Sequence, residues 1–266
     1  MFESFYSLSV TPFSRDISVD ALYKDNECNE LIDRLKYAAL RQLFAILTGE
    51  SGSGKTTLLR RFNNELANSG HVVIYLSDSR LTPRHFYKGI LEQLGFEAKY
   101  FRGDAKSQLH KELEVLKTVN NTTLTLIVDE AHLLARDMLE EVRFLLNFKM
   151  DSQSPLALIL AGQSELWDKL RLQSYAAIRQ RVDILCHVAK LDLAKSKAYI
   201  NAHLAFAGSA KDIFSDSAYD EIFKFSSGIP RMINKACVAA LLYGAQNNKN
   251  IIDGNMIKFV VDSELT

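Results

Sequence analysis

The sequence predicts an α/β fold: a parallel sheet flanked by helices, followed by a small all-helical domain. Three observations carry this expectation. Short apolar runs alternate with segments of helical period as far as residue 188. The runs are hydrophobic almost throughout, as strands buried on both faces are, rather than alternating with polar residues. Beyond residue 190 strand-like runs cease and only helical patterns remain.

Residues 1–20 read as an irregular arm, with Phe2, Phe5, Tyr6 and Phe13 interleaved with Ser, Thr and Pro. Residues 25–41 place Leu31, Ile32, Leu35 and Ala38/Ala39 at helical spacing. Leu43–Leu47 is a short apolar strand ended by Gly49, and Thr56–Ala67 a helix. HVVIYLS (71–77) is a strand, and Pro83–Leu94 a helix with Pro in its first turn. A helix over Gln108–Val119 leads to the strand LTLIVDE (124–130), then to a helix over Met138–Lys149. LALILAG (156–162) is a strand, Glu165–Leu172 a helix, and VDILCHV (182–188) the last strand-like run. Residues 194–208, 215–227, 230–246 and 254–262 are helical in pattern, separated by Gly, Ser and Asn. The expected division is residues 1–190, an α/β nucleotide-binding domain including the arm, and 191–266, a helical domain.

Composition narrows the function classes. With 47% hydrophobic residues among 266, a substantial core can form. The 32 basic and 32 acidic residues cancel, so there is no global attraction to nucleic acid or anionic membrane; a basic patch would have to be local. Cys28, Cys186 and Cys237 are odd in number and far apart, which fits neither a disulfide framework nor a zinc site. The N-terminus lacks a basic region followed by an apolar one, and no apolar run approaches the ~18 residues of a membrane span. A soluble cytoplasmic protein is expected.

Gly49, Gly54, Lys55 and Thr56 match the pattern GxxxxGK[ST] within GESGSGKT. The segment follows an apolar strand and opens an amphipathic helix, the setting in which backbone N–H groups can curl around a phosphate at a helix N-terminus. Gly49, Glu50, Ser51, Gly52, Ser53, Gly54, Lys55, Thr56 and Thr57 are therefore the expected nucleotide-binding stretch, for ATP. Lys55 suits the β- and γ-phosphates and the Thr56 hydroxyl suits Mg²⁺. Asp129 and Glu130 end an apolar strand, where ligands of such sheets bind. Asp129 suits the Mg²⁺ shell, and Glu130 suits polarisation of an attacking water. An Asp followed by Glu points to a turnover ATPase.

Gln163, with Ser164 beside it, ends a third strand and is the candidate to hydrogen-bond the γ-phosphate or the water. Arg179 and Arg181 precede the last strand; arginine suits charge spread over a transferring phosphoryl group, and one of the two could serve a neighbouring subunit's ATP. Arg181 is preferred because it directly precedes the apolar run. Arg231 opens a helix of the second domain after Gly228 and Pro230, from where it could reach back to the γ-phosphate and couple the ATP state to the angle between domains.

GESGSGKT, LIVDEAH, LAGQSEL, IRQR and GIPR occur in that order. They resemble Walker A, Walker B, sensor 1, the arginine finger and sensor 2 of AAA+ ATPases, and the resemblance covers essentially the whole chain. The opening FYSLSVTPF and VDEAHLL…EEVRFLLNF resemble the subgroup holding the ExeA/GspA secretion ATPases and the transposition ATPases of the TnsC, TniB and MuB type. That resemblance implies an arm running into the nucleotide pocket, with Tyr23 near adenine. ExeA-type proteins continue into a membrane span and a peptidoglycan-binding region, neither of which lies in these residues. The favoured expectation is a stand-alone ATPase that oligomerises on double-stranded DNA, with ATP at subunit interfaces, and acts on a transposase. A secretion or envelope-assembly ATPase and an ATP-gated protein adaptor with little turnover are the alternatives.

The window 79–111 is basic in a neutral chain. It holds Arg80, Arg84, Lys88, Lys99, Arg102, Lys106 and Lys111 against Glu92, Glu97 and Asp104, interleaved with Phe86, Tyr87, Tyr100 and Phe101. Arg84 and Lys88, four apart, share a helix face. The first six of these cations are the candidates for sequence-independent DNA-phosphate contacts.

Overall fold

A computed structural model describes residues 2–14, 17–67, 70–78, 82–119, 122–146, 154–209 and 211–265. In chain order the helices and strands are α1 (Phe2–Phe5), α2 (Asn26–Arg41), β1 (Phe44–Gly49), α3 (Lys55–Leu66), β2 (His71–Leu76), α4 (Pro83–Gln93), α5 (Arg102–Thr118), β3 (Thr123–Val128), α6 (Arg136–Leu145), β4 (Ala157–Gly162), α7 (Glu165–Arg171), α8 (Ala176–Arg179), β5 (Ile184–Val188), α9 (Leu193–Phe206), α10 (Asp216–Ser226), α11 (Pro230–Gln246) and α12 (Gly254–Val260). They form two compact units. One comprises Asn26–Gly49 and Lys55–Val188; the other comprises Met1–Asp25, Glu50–Gly54 and Ala189–Thr266.

The first unit is a five-stranded, all-parallel sheet in the order β2-β3-β4-β1-β5. Successive side chains of a strand point to opposite faces, and both faces here are covered. Phe44 and Ile46 of β1 join Leu158 and Leu160 of β4 in a core with Phe86, Ile90, Leu109, Leu139 and Leu166 from the helices on that side. Ala45 and Leu47 join Ile159 and Ala161 on the other face, under Ile32 and Leu35 of α2 and Leu58 and Phe62 of α3. This is why the strand sequences are apolar without alternation.

One charged residue sits on the apolar face of α6. Glu141 is 2% exposed among Met138, Leu139, Val142 and Leu145. Its carboxylate accepts from Tyr87 Oη of α4 and from Arg102 Nη2 of α5, and Lys106 Nζ lies 3.4 Å away. A buried charge requires such partners.

The second unit is helical. Asp192 accepts from Lys195 N at 2.7 Å, Ser215 from Ala218 N at 3.3 Å and Asp253 from Met256 N at 2.9 Å, capping α9, α10 and α12. The arm belongs here rather than with the sheet. Phe2, Leu8 and Phe13 are buried with Ile200, Leu204 and Ala240, and Ser9 N donates to Ala207 O at 2.8 Å. Its aromatic residues have no regular period, so the sequence pattern could not say which core receives them. Two helix boundaries also differ from expectation. The helix expected from Gln108 starts at Arg102, and that expected from Met138 to Lys149 spans Arg136–Leu145, with residues 147–150 outside the described ones. Among the described residues no helix is long and apolar enough to cross a membrane.

Candidate nucleotide site

Because the sheet is parallel, β1, β2, β3 and β4 all end on one edge, where ligands of open α/β sheets bind. Thr48 pairs with Gly162, Leu76 pairs with Val128, and Asp129 N donates to Leu76 O at 2.8 Å. This register gathers the strand-end residues Asp129, Glu130 and Gln163.

Lys55, the first residue of α3, is buried, and its Nζ donates to Gly49 O at 2.9 Å. Thr56 Oγ1 donates to Asp129 Oδ2 at 3.2 Å. Asp129 is 3% exposed, and both its oxygens are occupied. Oδ1 accepts from Glu130 N at 2.8 Å, and Oδ2 also accepts from the Tyr75 hydroxyl at 2.5 Å. Burial, and then the hydrogen bond to Asp129, pushes the Tyr75 phenol well up, so it remains a proton donor.

Glu130 is in the left-handed region (φ 52°, ψ 30°), with its side chain 47% exposed. A residue with a Cβ held there is under backbone strain of order 1–3 kcal/mol, a feature that clusters at functional sites. His132 Nδ1 lies 3.6 Å from Glu130 Oε2 and accepts from Gln163 N at 3.4 Å. A Cβ at Gly162 would stand 3.0 Å from His132 N, a tight contact that would push the His132 backbone away by a few tenths of an ångström. Gln163 thus enters the cluster through its backbone.

In the helical unit the loop tip Glu50–Gly54 has Gly52 at φ 83° and Gly54 at φ 100°. Ser53 N donates to Glu50 O at 3.1 Å, and Lys190 Nζ pairs with Glu50 Oε1 at 2.7 Å. Arg231 N donates to Gly52 O at 3.2 Å, and Arg231 Nη1 donates to Ser51 Oγ at 3.3 Å. A Cβ on Gly52 would lie 2.7 Å from Arg231 Cβ. Tyr23 stands edge-on to Tyr199 at 5.8 Å, and Tyr199 Oη donates to Asn234 Oδ1 at 3.0 Å.

The residues fit a phosphate. Glycines adopt the left-handed turns that let the backbone curl. Among the described residues Ser53 Oγ is buried without a hydrogen-bond partner. The 12-residue helix α3 opens directly after the loop. Thr56 and Asp129, already in contact, form an oxygen donor pair of the kind a hard divalent cation takes.

The remaining candidates are scattered. Arg179 Nη1 donates to Leu170 O at 3.1 Å and Arg171 O at 2.5 Å, capping α7, whose carbonyl end favours a cation. Arg181 is half-buried just before the edge strand β5. Thr57 is exposed on α3. Arg84 lies over the Tyr100 ring at 4.0 Å, and Lys88 pairs with Glu92 at 3.4 Å. Arg84, Lys88, Glu97, Lys99 and Tyr100 line a surface depression. Arg102 and Lys106 are engaged by Glu141, which offsets their charge internally. Arg80 lies outside the described residues. Sequence reasoning missed Tyr75 and His132. A polar aromatic at the C-terminal end of an apolar strand, and a histidine two residues beyond the acidic pair, were the available signals.

The loop, the buried lysine and the paired threonine and aspartate at the strand ends define a P-loop nucleotide-binding protein. A family model described as AAA domain matches residues 39–170. The chain is 31% identical over 262 residues to General secretion pathway protein A of Aeromonas hydrophila, covering 96% of this chain and 47% of that protein. It is 24% identical over 191 residues to the Mu-like prophage FluMu DNA transposition protein B of Haemophilus influenzae, covering 70% of this chain and 62% of that one. The chain therefore spans about half the length of the first relative and under two thirds of the second. The structure of Cdc6p from Pyrobaculum aerophilum has the same fold, with a TM-score of 0.73 at 15% identity, covering 98% of this chain and 70% of that one. Residues 39–170 thus form an AAA domain, and the chain as a whole is similar to ExeA-type and MuB-like proteins.

Proposed function

We propose that this chain binds ATP with Mg²⁺ and hydrolyses it, and that ATP binding drives its assembly on duplex DNA in the control of transposition. The observation that carries the ATPase reading is the gathering of Lys55, Thr56, Asp129 and Glu130 around one sheet edge. Backbone N–H groups of Gly49–Thr56 receive the phosphates, and Lys55 exchanges Gly49 O for a phosphate oxygen. Thr56 and Asp129 hold Mg²⁺, which when bound neutralises the charge of the β- and γ-phosphate oxygens. The half-exposed Glu130 carboxylate takes the proton of the attacking water. Gln163 and His132 set the geometry around it. Tyr23 lines the adenine side. Arg231, bonded to the loop tip, registers whether the loop is filled. Arg181, directly before β5, acts on a neighbouring subunit's ATP, and Arg179 caps the end of α7.

The DNA reading rests on Arg84, Lys88 and Lys99 around an exposed Tyr100, with Arg102 and Lys106 secondary, and on the likeness to a protein named for DNA transposition. A second reading, protein transport or envelope assembly, is supported by the match to General secretion pathway protein A along 96% of the chain. Sedimentation with duplex DNA and a non-hydrolysable ATP analogue separates them. The transposition reading expects ATP-dependent co-sedimentation at about 0.1 M salt, weakening steeply as salt rises, and expects Lys55→Ala to abolish it. ATP turnover without DNA assembly would favour the second reading.

A further inference from the structure

We propose that Tyr75 is a positioning residue for the Asp129 carboxylate, and that Gln93 of α4 aims it. The inference rests on the reading of Asp129 as a carboxylate that holds Mg²⁺. Asp129 Oδ1 is fixed by the N–H of its neighbour Glu130, at 2.8 Å. Oδ2 is the oxygen on the Thr56 side, and the Tyr75 hydroxyl donates to it at 2.5 Å, shorter than the 3.2 Å bond from Thr56. A carboxylate held on both oxygens cannot rotate about its Cβ–Cγ bond, so Oδ2 stays aimed at Thr56. Thr56 can then turn its lone pairs to a cation without releasing Asp129, because the phenol keeps that oxygen in place.

Tyr75 is itself held. β2 is an edge strand. In a parallel sheet the N–H and C=O of one residue point to the same side, and those of Tyr75 face the open edge. There the Gln93 amide replaces a missing strand. Gln93 Nε2 donates to Tyr75 O at 3.1 Å, and Gln93 Oε1 accepts from Tyr75 N at 3.4 Å. A side-chain amide carries the same donor and acceptor as a peptide group, so one residue of α4 pins the backbone from which the phenol projects. The function proposed above assigns neither residue. Both act on the metal through Asp129, as partners of a metal-binding carboxylate do.

The test is the Mg²⁺ dependence of binding of a fluorescent, non-hydrolysable ATP analogue by the full chain. Tyr75→Phe removes only the hydroxyl. It should raise the Mg²⁺ midpoint about 10-fold while the analogue's affinity without metal stays at the wild-type value. Gln93→Leu should shift the midpoint the same way by a smaller factor, with the hydroxyl still present. A Tyr75→Phe midpoint within about twofold of wild type overturns the proposal, as does an equal loss of metal-free affinity, which marks a folding defect. Asp129→Asn is the discriminating control. If it too leaves the Mg²⁺ midpoint unchanged, the failure lies with Asp129 as the metal-side carboxylate, and the Tyr75 role falls with it.

Discussion

Replacing Arg102 by alanine asks whether the basic window of the sequence is a nucleic-acid surface throughout or is partly structural. The Glu141 side chain is 3% exposed, and its charge is met by Tyr87, Arg102 and Lys106. Breaking a fully buried pair costs about 3–5 kcal/mol, because it strands a charge in the interior. Arg102 is 55% exposed, so solvent screens its part, and Lys106 and Tyr87 remain; the loss falls to roughly 1–2 kcal/mol. At about 2–4 °C per kcal/mol for a unit of this size, Arg102→Ala lowers Tm by roughly 2–8 °C. The double change Arg102→Ala/Lys106→Ala leaves only the phenol and lowers it further. Arg84→Ala, on an exposed helix turn, changes stability by no more than about 0.5 kcal/mol. Circular dichroism melts supply the Tm values. A salt titration of DNA affinity supplies the second axis, since each lost phosphate contact reduces the slope by about 1. The expected pattern is stability loss at Arg102 and slope loss at Arg84. An Arg102→Ala protein with wild-type Tm and a reduced salt slope would instead make Arg102 a DNA-phosphate contact with no structural role over Glu141.

Two further outcomes follow from local geometry. Gly54→Ala introduces a Cβ with no heavy atom within 4 Å and should cost only the backbone strain of a positive φ, about 1–2 kcal/mol; Gly52→Ala also drives a Cβ to 2.7 Å from Arg231 Cβ and should cost about 1–3 kcal/mol more in urea denaturation, so equal losses would contradict the packing of Arg231 on the loop tip. Burial among Phe13 and Tyr199 pushes the His203 imidazole down to about 4. Its unfolded value is about 6.5, so the stability it contributes is fully present above that pH and is lost as pH falls from there through the folded value, up to about 3 kcal/mol. His203→Phe should flatten that acid limb when urea midpoints at about pH 7.5 and 4.5 are compared, and an unchanged limb would assign the loss to other groups.

Much of this was legible in the sequence. Strands buried on both faces must be apolar throughout, and Phe44–Gly49 and Ala157–Gly162 announce themselves for that reason. The phosphate loop is legible because its chemistry is local, set by glycines, a lysine and a threonine in one stretch. What could not be read depends on distant pairs. The Tyr75–Asp129 and Tyr87–Glu141 bonds each join residues 54 apart, and no local pattern marks them. Lys106 and Arg102 look like surface cations until the fold places a buried acid beneath them. Arg179 and Arg181 are alike in sequence, and only the carbonyls at the end of α7 distinguish them. The start of α5 was obscured by Gly103, which weakens helical propensity in its first turn.

Whether Glu130 turns a nucleotide-binding loop into an ATPase is decided by phosphate release from ATP and Mg²⁺ by the wild-type chain and by Glu130→Gln. The wild type should turn over, the variant should be about 10²–10⁴-fold slower, and both should bind ATP undiminished. Equal turnover by the two proteins would contradict that role of Glu130.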